Sequence, residues 1–257
     1  MKVRPMNSTA FRLALGAAAL AAAACAGVAF AQGDFTLERE ARGLNIRPLA
    51  NPGEVVATEL AFARLAKDKG QWTAFAQYAA RDAVMFAPGP VRAQQWLKGR
   101  ANPAQAVAWE PYQVWSSCDG SIAVTKGPWT QPDGSVGYFT TVWQRQEKGE
   151  YRWVLDQGDS LAKALEEPEL VQADIADCPA RGRGGPPPVG KDGKPLKRGK
   201  LPVAPVAADG LSGTSVDGSL SWRAAVAADR SRELHVLLRK GEDMKEVLTS
   251  LVAAPAE

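Results

Sequence analysis

The chain has one histidine and three cysteines in 257 residues. A Ser-His or Cys-His nucleophile arrangement is hard to build around the lone His235. It alternates with Leu234 and Val236, so a structural role is the plainer reading. The cysteines and this distant histidine do not make a four-ligand metal site. Phosphate-cradling glycine loops, dinucleotide fingerprints and paired metal-ligand motifs are all missing, so neither metal nor cofactor is expected. The densest basic stretch, residues 181–200, has Asp192 as its one acidic residue. It lacks interleaved aromatics and lies in a Pro/Gly tract, which speaks against nucleic acid as a partner.

What is present begins at the N-terminus. Lys2, Arg4 and Arg12 make a basic start without an acidic residue. Residues 13–29 are then almost wholly Ala, Leu, Gly and Val, and Ala29-Phe30-Ala31 closes the run before polar Gln32. That order is the one a cleaved secretory signal shows. A membrane span needs a longer run, so no stable anchor is expected after processing. A lipoprotein signal needs a Leu-like residue three before Cys25, where Ala22 stands. The expectation is export to the periplasm or beyond, with cleavage after Ala31. Losing three basic residues from 31 leaves them equal to the 28 acidic ones, so the pI near 8.8 is partly a property of the leader.

Export also bears on the cysteines. Cys25 leaves with the leader, and Cys118 and Cys178 remain as an even pair in an oxidising space, expected to be joined. The alternative is two unpaired thiols.

After a loose lead-in over residues 32–53, Val56, Leu60, Ala63 and Ala66 recur at helical spacing. Glu59, Arg64, Lys67 and Asp68 form the polar side, and Gly70 is the stop. A shorter helix runs from Trp72 to Ala79, with Trp72, Phe75, Ala76 and Ala79 on one face. Residues 83–86 read as a strand and 92–97 as a helical turn or two. From Ala106 the period becomes two. Strands are expected around Val114, at residues 122–125, 136–145 and 151–155, separated by the turns at Asp119-Gly120-Ser121, Gln131-Pro132-Asp133-Gly134 and residues 147–150. Residues 159–177 read as a polar, helical stretch and 181–210 as a solvated linker, part of a 179–210 segment rich in Pro, Gly and Lys. A hairpin at 220–226 and 233–238 follows, with 244–251 either strand or helix. Residues 211–257 are too few for a core of their own and are expected to pack back onto the domain at 54–178.

The segments ELAFARLAKDKGQWTAFAQYAARDAVMFAP, WLKGR and GYFTTVWQRQEKGEYRWVLDQGD, within residues 54 to 160, resemble the nuclear transport factor 2-like superfamily. That superfamily also holds the ketosteroid isomerases and the SnoaL-like polyketide cyclases. The likeness is to an exported branch, its bacterial domain of unknown function. It implies an α+β fold in which a strongly curved antiparallel sheet wraps against N-terminal helices and leaves an apolar cone, and it does not imply one activity.

Seven of the eight tryptophans lie between Trp72 and Trp153. Taken singly each reads as core; as a set they are too many for one small core. The surplus lines a pocket, covers a homodimer interface or receives the C-terminal hairpin. The candidate ligand-binding set is Trp115, Tyr138, Phe139 and Trp143, and the cone is either open or plugged by Trp222 and its hairpin. An isomerase-type mechanism needs a carboxylate base in the cone and a donor for the enolate oxygen. Asp156 and Glu110 are the carboxylate candidates, Tyr138 and Tyr112 the donors. Neither carboxylate matches an isomerase motif residue by residue, and both sit where turn or bend duty explains them. Arg92, Lys98 and Arg100 are a candidate basic rim. The sequence thus points to an exported cone protein that binds a small apolar molecule or a protein partner. A cofactor-free isomerase, cyclase or dehydratase is the alternative.

Overall fold

The computed structural model describes residues 50–178 and 200–254. The expected leader and lead-in up to residue 49, and residues 179–199 of the expected linker, lie outside them. Helix α1 (Pro52–Lys69) opens on Asn51, whose side chain accepts from the Glu54 N–H, with Pro at the first helical position, and it ends at Gly70. Gly70 has φ 101°, and a Cβ there would fall on the Asn102 side chain. That close approach lets Asn102 Oδ1 accept the N–H groups of Trp72 and Thr73 at 2.7 and 3.1 Å, capping the next helix, α2 (Gln71–Tyr78).

The chain continues through β1 (Ala79–Phe86), β2 (Pro90–Arg92), the short α3 (Ala93–Leu97), β3 (Ala108–Trp109), β4 (Gln113–Ser116), β5 (Ile122–Thr130), β6 (Val136–Arg145), β7 (Tyr151–Leu161) and β8 (Gln172–Ile175). These strands form one mixed sheet in the order β2-β1-β7-β6-β5-β4-β8, with β3 pairing to the end of β5. The meander β5-β6-β7 is antiparallel as expected. β1 joins β7, and β8 joins β4, in parallel. A second, antiparallel sheet has the order β12-β11-β10-β9, built from β9 (Ser212–Thr214), β10 (Leu220–Val226), β11 (Arg232–Lys240) and β12 (Asp243–Val252). The class is α+β: a curved sheet against N-terminal helices, with added C-terminal strands.

The large sheet is covered on both faces. On one side the helices bury Val55, Phe62 and Ala66 of α1 and Ala74 of α2 with Val114, Ala123, Trp143 and Trp153. On the other, Leu220, Trp222, Leu234, Val236 and Leu238 of the small sheet pack with Trp115, Ile122, Val124, Val142 and Leu155. Strand parity sends alternate residues of β6 to opposite layers. Cys118 and Cys178 are joined, with Cα atoms 5.5 Å apart.

Four expectations change. The buried stripe of α1 is Val55-Glu59-Phe62-Ala66, which keeps Ala66 of the expected one and shifts the other three positions by one residue, so Leu60 is 47% exposed and Glu59 is fully buried. The stretch 159–177 is not helical: β7 runs on to Leu161, and Gln172–Ile175 is a strand whose partner β4 lies far back in sequence. The expected hairpin is a four-stranded sheet, in which 243–252 is a strand. Residues 200–210 do not run free in solvent: the Leu201 N–H donates to Glu147 O, Ala204 is fully buried, and Val206 bridges to Gly213.

Candidate functional site

A cavity of about 290 Å³ opens between the helices and the far ends of β5, β6 and β7. Its walls are aromatic: Phe62 of α1, Phe75 of α2, Trp109 of β3, Trp129 of β5 and Phe139 of β6. Phe62 meets Phe75 and Trp109 edge-on, with ring centroids 4.9 and 4.8 Å apart. Two glycines flank Phe139 in the ladder, Gly127 on β5 and Gly158 on β7. Each is forced by a close backbone approach. A Cβ on Gly127 would lie 1.9 Å from Glu110 O, and one on Gly158 2.2 Å from Tyr138 O.

Asp156 and residues 157–160 form the β7 wall. Asp156 is partly buried, and Thr141 Oγ1 donates to its Oδ2 at 2.7 Å. Burial pushes the Asp156 carboxyl up to about 7. Thr141 opposes the shift, buried Glu59 adds to it, and Arg232 opposes it.

Glu59 is the group that the sequence reading placed on the wrong face. It lies under the Trp109 indole, outside the cavity lining. Its Oε1 accepts the Trp109 N–H at 2.8 Å; its Oε2 accepts from Thr125 Oγ1 at 2.6 Å and from the Trp143 N–H at 3.0 Å. Burial raises its pKa against the pull of these three donors. The sequence signal that finds it is the i, i+4, i+7, i+11 stripe 55-59-62-66, which is apolar except at Glu59.

Of the four expected ligand-binding residues, Phe139 alone lines the cavity. Trp143 is fully buried beneath Glu59, and Trp115 packs toward the small sheet. Tyr138 also points away from the cone. Its hydroxyl donates to Leu251 O at 2.8 Å and accepts from Ser250 Oγ at 3.1 Å. The two faces of β6 are visible in sequence, but which one meets the helices is not. Of the expected catalytic residues, Asp156 reaches the cavity, while Tyr138 does not and Glu110 is exposed between β3 and β4. Tyr112, the second donor candidate, is not in the lining. Trp222 is 2% exposed between the two sheets, so it does not plug the cone. The expected basic rim is dispersed: Arg92 donates to Asp82 O and Ala208 O, Arg100 lies over the Trp96 ring, and Lys98 is exposed. Among the described residues no three His, Cys, Asp or Glu side chains converge as a metal would need.

No family model and no curated protein matches the chain. Among solved structures it is similar to a protein designated an aromatic ring hydroxylase from Novosphingobium aromaticivorans. The identity is 17%, over 44% of this chain and 90% of that one, with a TM-score of 0.34. It is also similar to a protein designated a ketosteroid isomerase from Parabacteroides distasonis. There the identity is 14%, over 45% of this chain and 97% of that one, with a TM-score of 0.36.

Proposed function

We propose that this is an exported binding protein of the nuclear transport factor 2-like type, whose cone takes a compact ring-bearing ligand. The observation that carries the reading is the aromatic-walled cavity with one partly buried carboxylate, Asp156, on its wall. Its volume matches roughly ten waters at about 30 Å³ each, enough for one or two rings. Export is supported by the basic-then-apolar leader ending at Ala29-Phe30-Ala31, and the Cys118–Cys178 bond is compatible with an oxidising location.

Two measurements test this. The intact mass of the periplasmic protein should correspond to a chain starting at Gln32; retention of Met1, or a lipid on Cys25, rejects the processing. Solvent extraction of the purified protein, followed by mass spectrometry, should release a small cyclic compound. Ser160→Trp, which fills the cavity, should lose that compound without a change in melting temperature. Equal retention by the variant rejects the cone as its site.

One observation favours a second reading, a cofactor-free isomerase or lyase. A carboxyl with a pKa near 7 in an apolar cavity suits a general base. The other half of that chemistry is not in the lining. Tyr138 hydrogen-bonds the small sheet, Asp159 is paired with Tyr138 on that same face, and Glu59 is sealed behind Trp109, so among the described residues no phenol or second acid meets a developing oxyanion. Binding is therefore the reading kept first. Exchange of the α-protons of an enolisable ketone by the wild type, lost in Asp156→Asn, would reverse it.

A further inference from the structure

The charge on the cavity wall is of one sign. Among the described residues that line it, Asp156 is the charged side chain on the cone face, none is Lys, Arg or His, and Asp159, opposite Tyr138 in the ladder, turns its carboxylate to the other face. The nearby cations belong to the opposite face of the large sheet. Arg232 of β11 donates to Gly158 O at 2.8 Å and lies over Phe86. Lys126 of β5 lies 5.2 Å from the Tyr138 ring centroid. Around the cavity stand five aromatic side chains, whose ring faces attract cations and offer nothing to anions. Thr141 holds one Asp156 oxygen, Oδ2, and Asp156 remains partly exposed to the cavity.

We propose that the ligand of the cone is a small ring-bearing amine bound as its ammonium ion, with nitrogen against Asp156 and ring among Phe75, Trp109 and Phe139. The proposal rests on the reading of the cone as a ligand site and adds the sign of the ligand's charge. An ammonium ion supplies the positive charge that the lining lacks. It donates to the carboxylate and spreads its remaining field over the aromatic faces. A carboxylate or phosphate ligand meets the Asp156 carboxylate and no donor of positive charge. A neutral alcohol satisfies Asp156 but gains nothing from the field.

Binding of a cation keeps Asp156 ionised, so it is coupled to pH. The charged groups acting on Asp156 are Glu59 from α1 and Arg232 from β11; Thr141 on β6 is its hydrogen-bond partner, and Asp159 on its own strand turns to the other face. Between pH 5 and 7 the amine displaces a proton from Asp156, and its affinity climbs as pH rises toward 8.

The experiment is titration calorimetry of the full chain with three probes of one shape: 2-phenylethylamine, 2-phenylethanol and phenylacetate. At pH 8 the amine should bind at least about ten-fold tighter than the alcohol, and phenylacetate should not bind. At pH 6, amine binding should release a proton, seen as a dependence of the heat on buffer ionisation enthalpy. Asp156→Asn should erase the advantage of the amine while leaving the alcohol within about two-fold. The pH series on the wild type decides the matter if that variant fails to fold. If alcohol binding is as tight as amine binding and is weakened by Phe139→Ala, the cone is a ligand site but the charge assignment is overturned. If phenylacetate binds best, the assignment is likewise overturned. If none of the three binds, the ammonium proposal and the binding reading fall together.

Discussion

Asp119 and Asp217 each accept the other's backbone N–H through Oδ2, both at 3.1 Å. The turns that carry them are Ser117-Cys118-Asp119-Gly120-Ser121 and Ser215-Val216-Asp217-Gly218-Ser219, alike in pattern and almost alike in geometry. Gly120 and Gly218 have φ 64° and 67°, each serine that precedes its aspartate by two donates to Oδ1 at 2.8 Å, and each following serine takes an N–H from the opposite turn. The two sheets are clasped by a pair of turns related by an approximate two-fold. Asp217→Ala should lower stability by about 1–3 kcal/mol, since it strands the Asp119 N–H and the polar groups of its own turn. Denaturant unfolding of both single variants and the double should show the double far below their sum.

Glu59 is expected to matter through Trp109. Glu59→Leu leaves the Trp109 N–H buried without its acceptor, while the Trp143 N–H keeps Thr125 Oγ1 at 3.0 Å. The expected cost is about 1–3 kcal/mol. Trp109→Phe should then be less harmful in the Glu59→Leu background than in the wild type, because the stranded N–H is gone. Equal costs in a double-mutant cycle would contradict this.

Neighbours on β6 should behave oppositely. Tyr138→Phe removes a hydroxyl bonded to Leu251 O and Ser250 Oγ, so it should cost about 0.5–1.5 kcal/mol and leave cone binding unchanged. Phe139→Ala strips a cavity wall and should weaken binding. A loss of affinity in Tyr138→Phe with none in Phe139→Ala would mean that the ligand sits on the other face of the sheet.

Asp156 should make the protein less stable as pH rises. Its carboxyl titrates near 3.8 when unfolded and near 7 when folded, so the folded state holds an extra proton between these values. By linkage, stability is greatest below 3.8, falls through the window, and is lower by at most about 4 kcal/mol above 7. Asp156→Asn removes this dependence. Its advantage over the wild type should therefore grow from pH 5 to pH 8 in thermal unfolding, and a constant difference across that range would show that Asp156 is not the titrating group.

Local signals carry much of this architecture in the sequence. The meander, its Asp-Gly-Ser turns and the cysteine pair depend on residues close in the chain or on simple parity. β8 escapes a sequence reading because Gln172–Ile175 is mostly exposed and owes its strand form to hydrogen bonds with β4. Glu59 escapes it because a carboxylate among Val55, Phe62 and Ala66 scores as surface, and the Trp109, Thr125 and Trp143 partners that admit it come from three separate strands. The side to which Tyr138 points is set by the small sheet, which covers the face opposite the helices.

The parallel pairing of β1 with β7 fixes when the cone comes into being. Ala79 and Val84 find their partners, Trp153 and Leu155, after the whole intervening meander has been laid down. Loop closure of that length is slow compared with the hairpins β5-β6 and β6-β7. The helices and β1 therefore wait, with Phe62 and Phe75 uncovered, while the meander zips locally. Asp156 is already set beside Thr141 within the meander, so the event that closes the sheet is the one that brings Phe62 and Phe75 of the helices over the carboxylate. A chain stalled before that event carries Asp156 and Phe139 on one piece and Phe62 and Phe75 on another, and offers two sticky surfaces in place of a site.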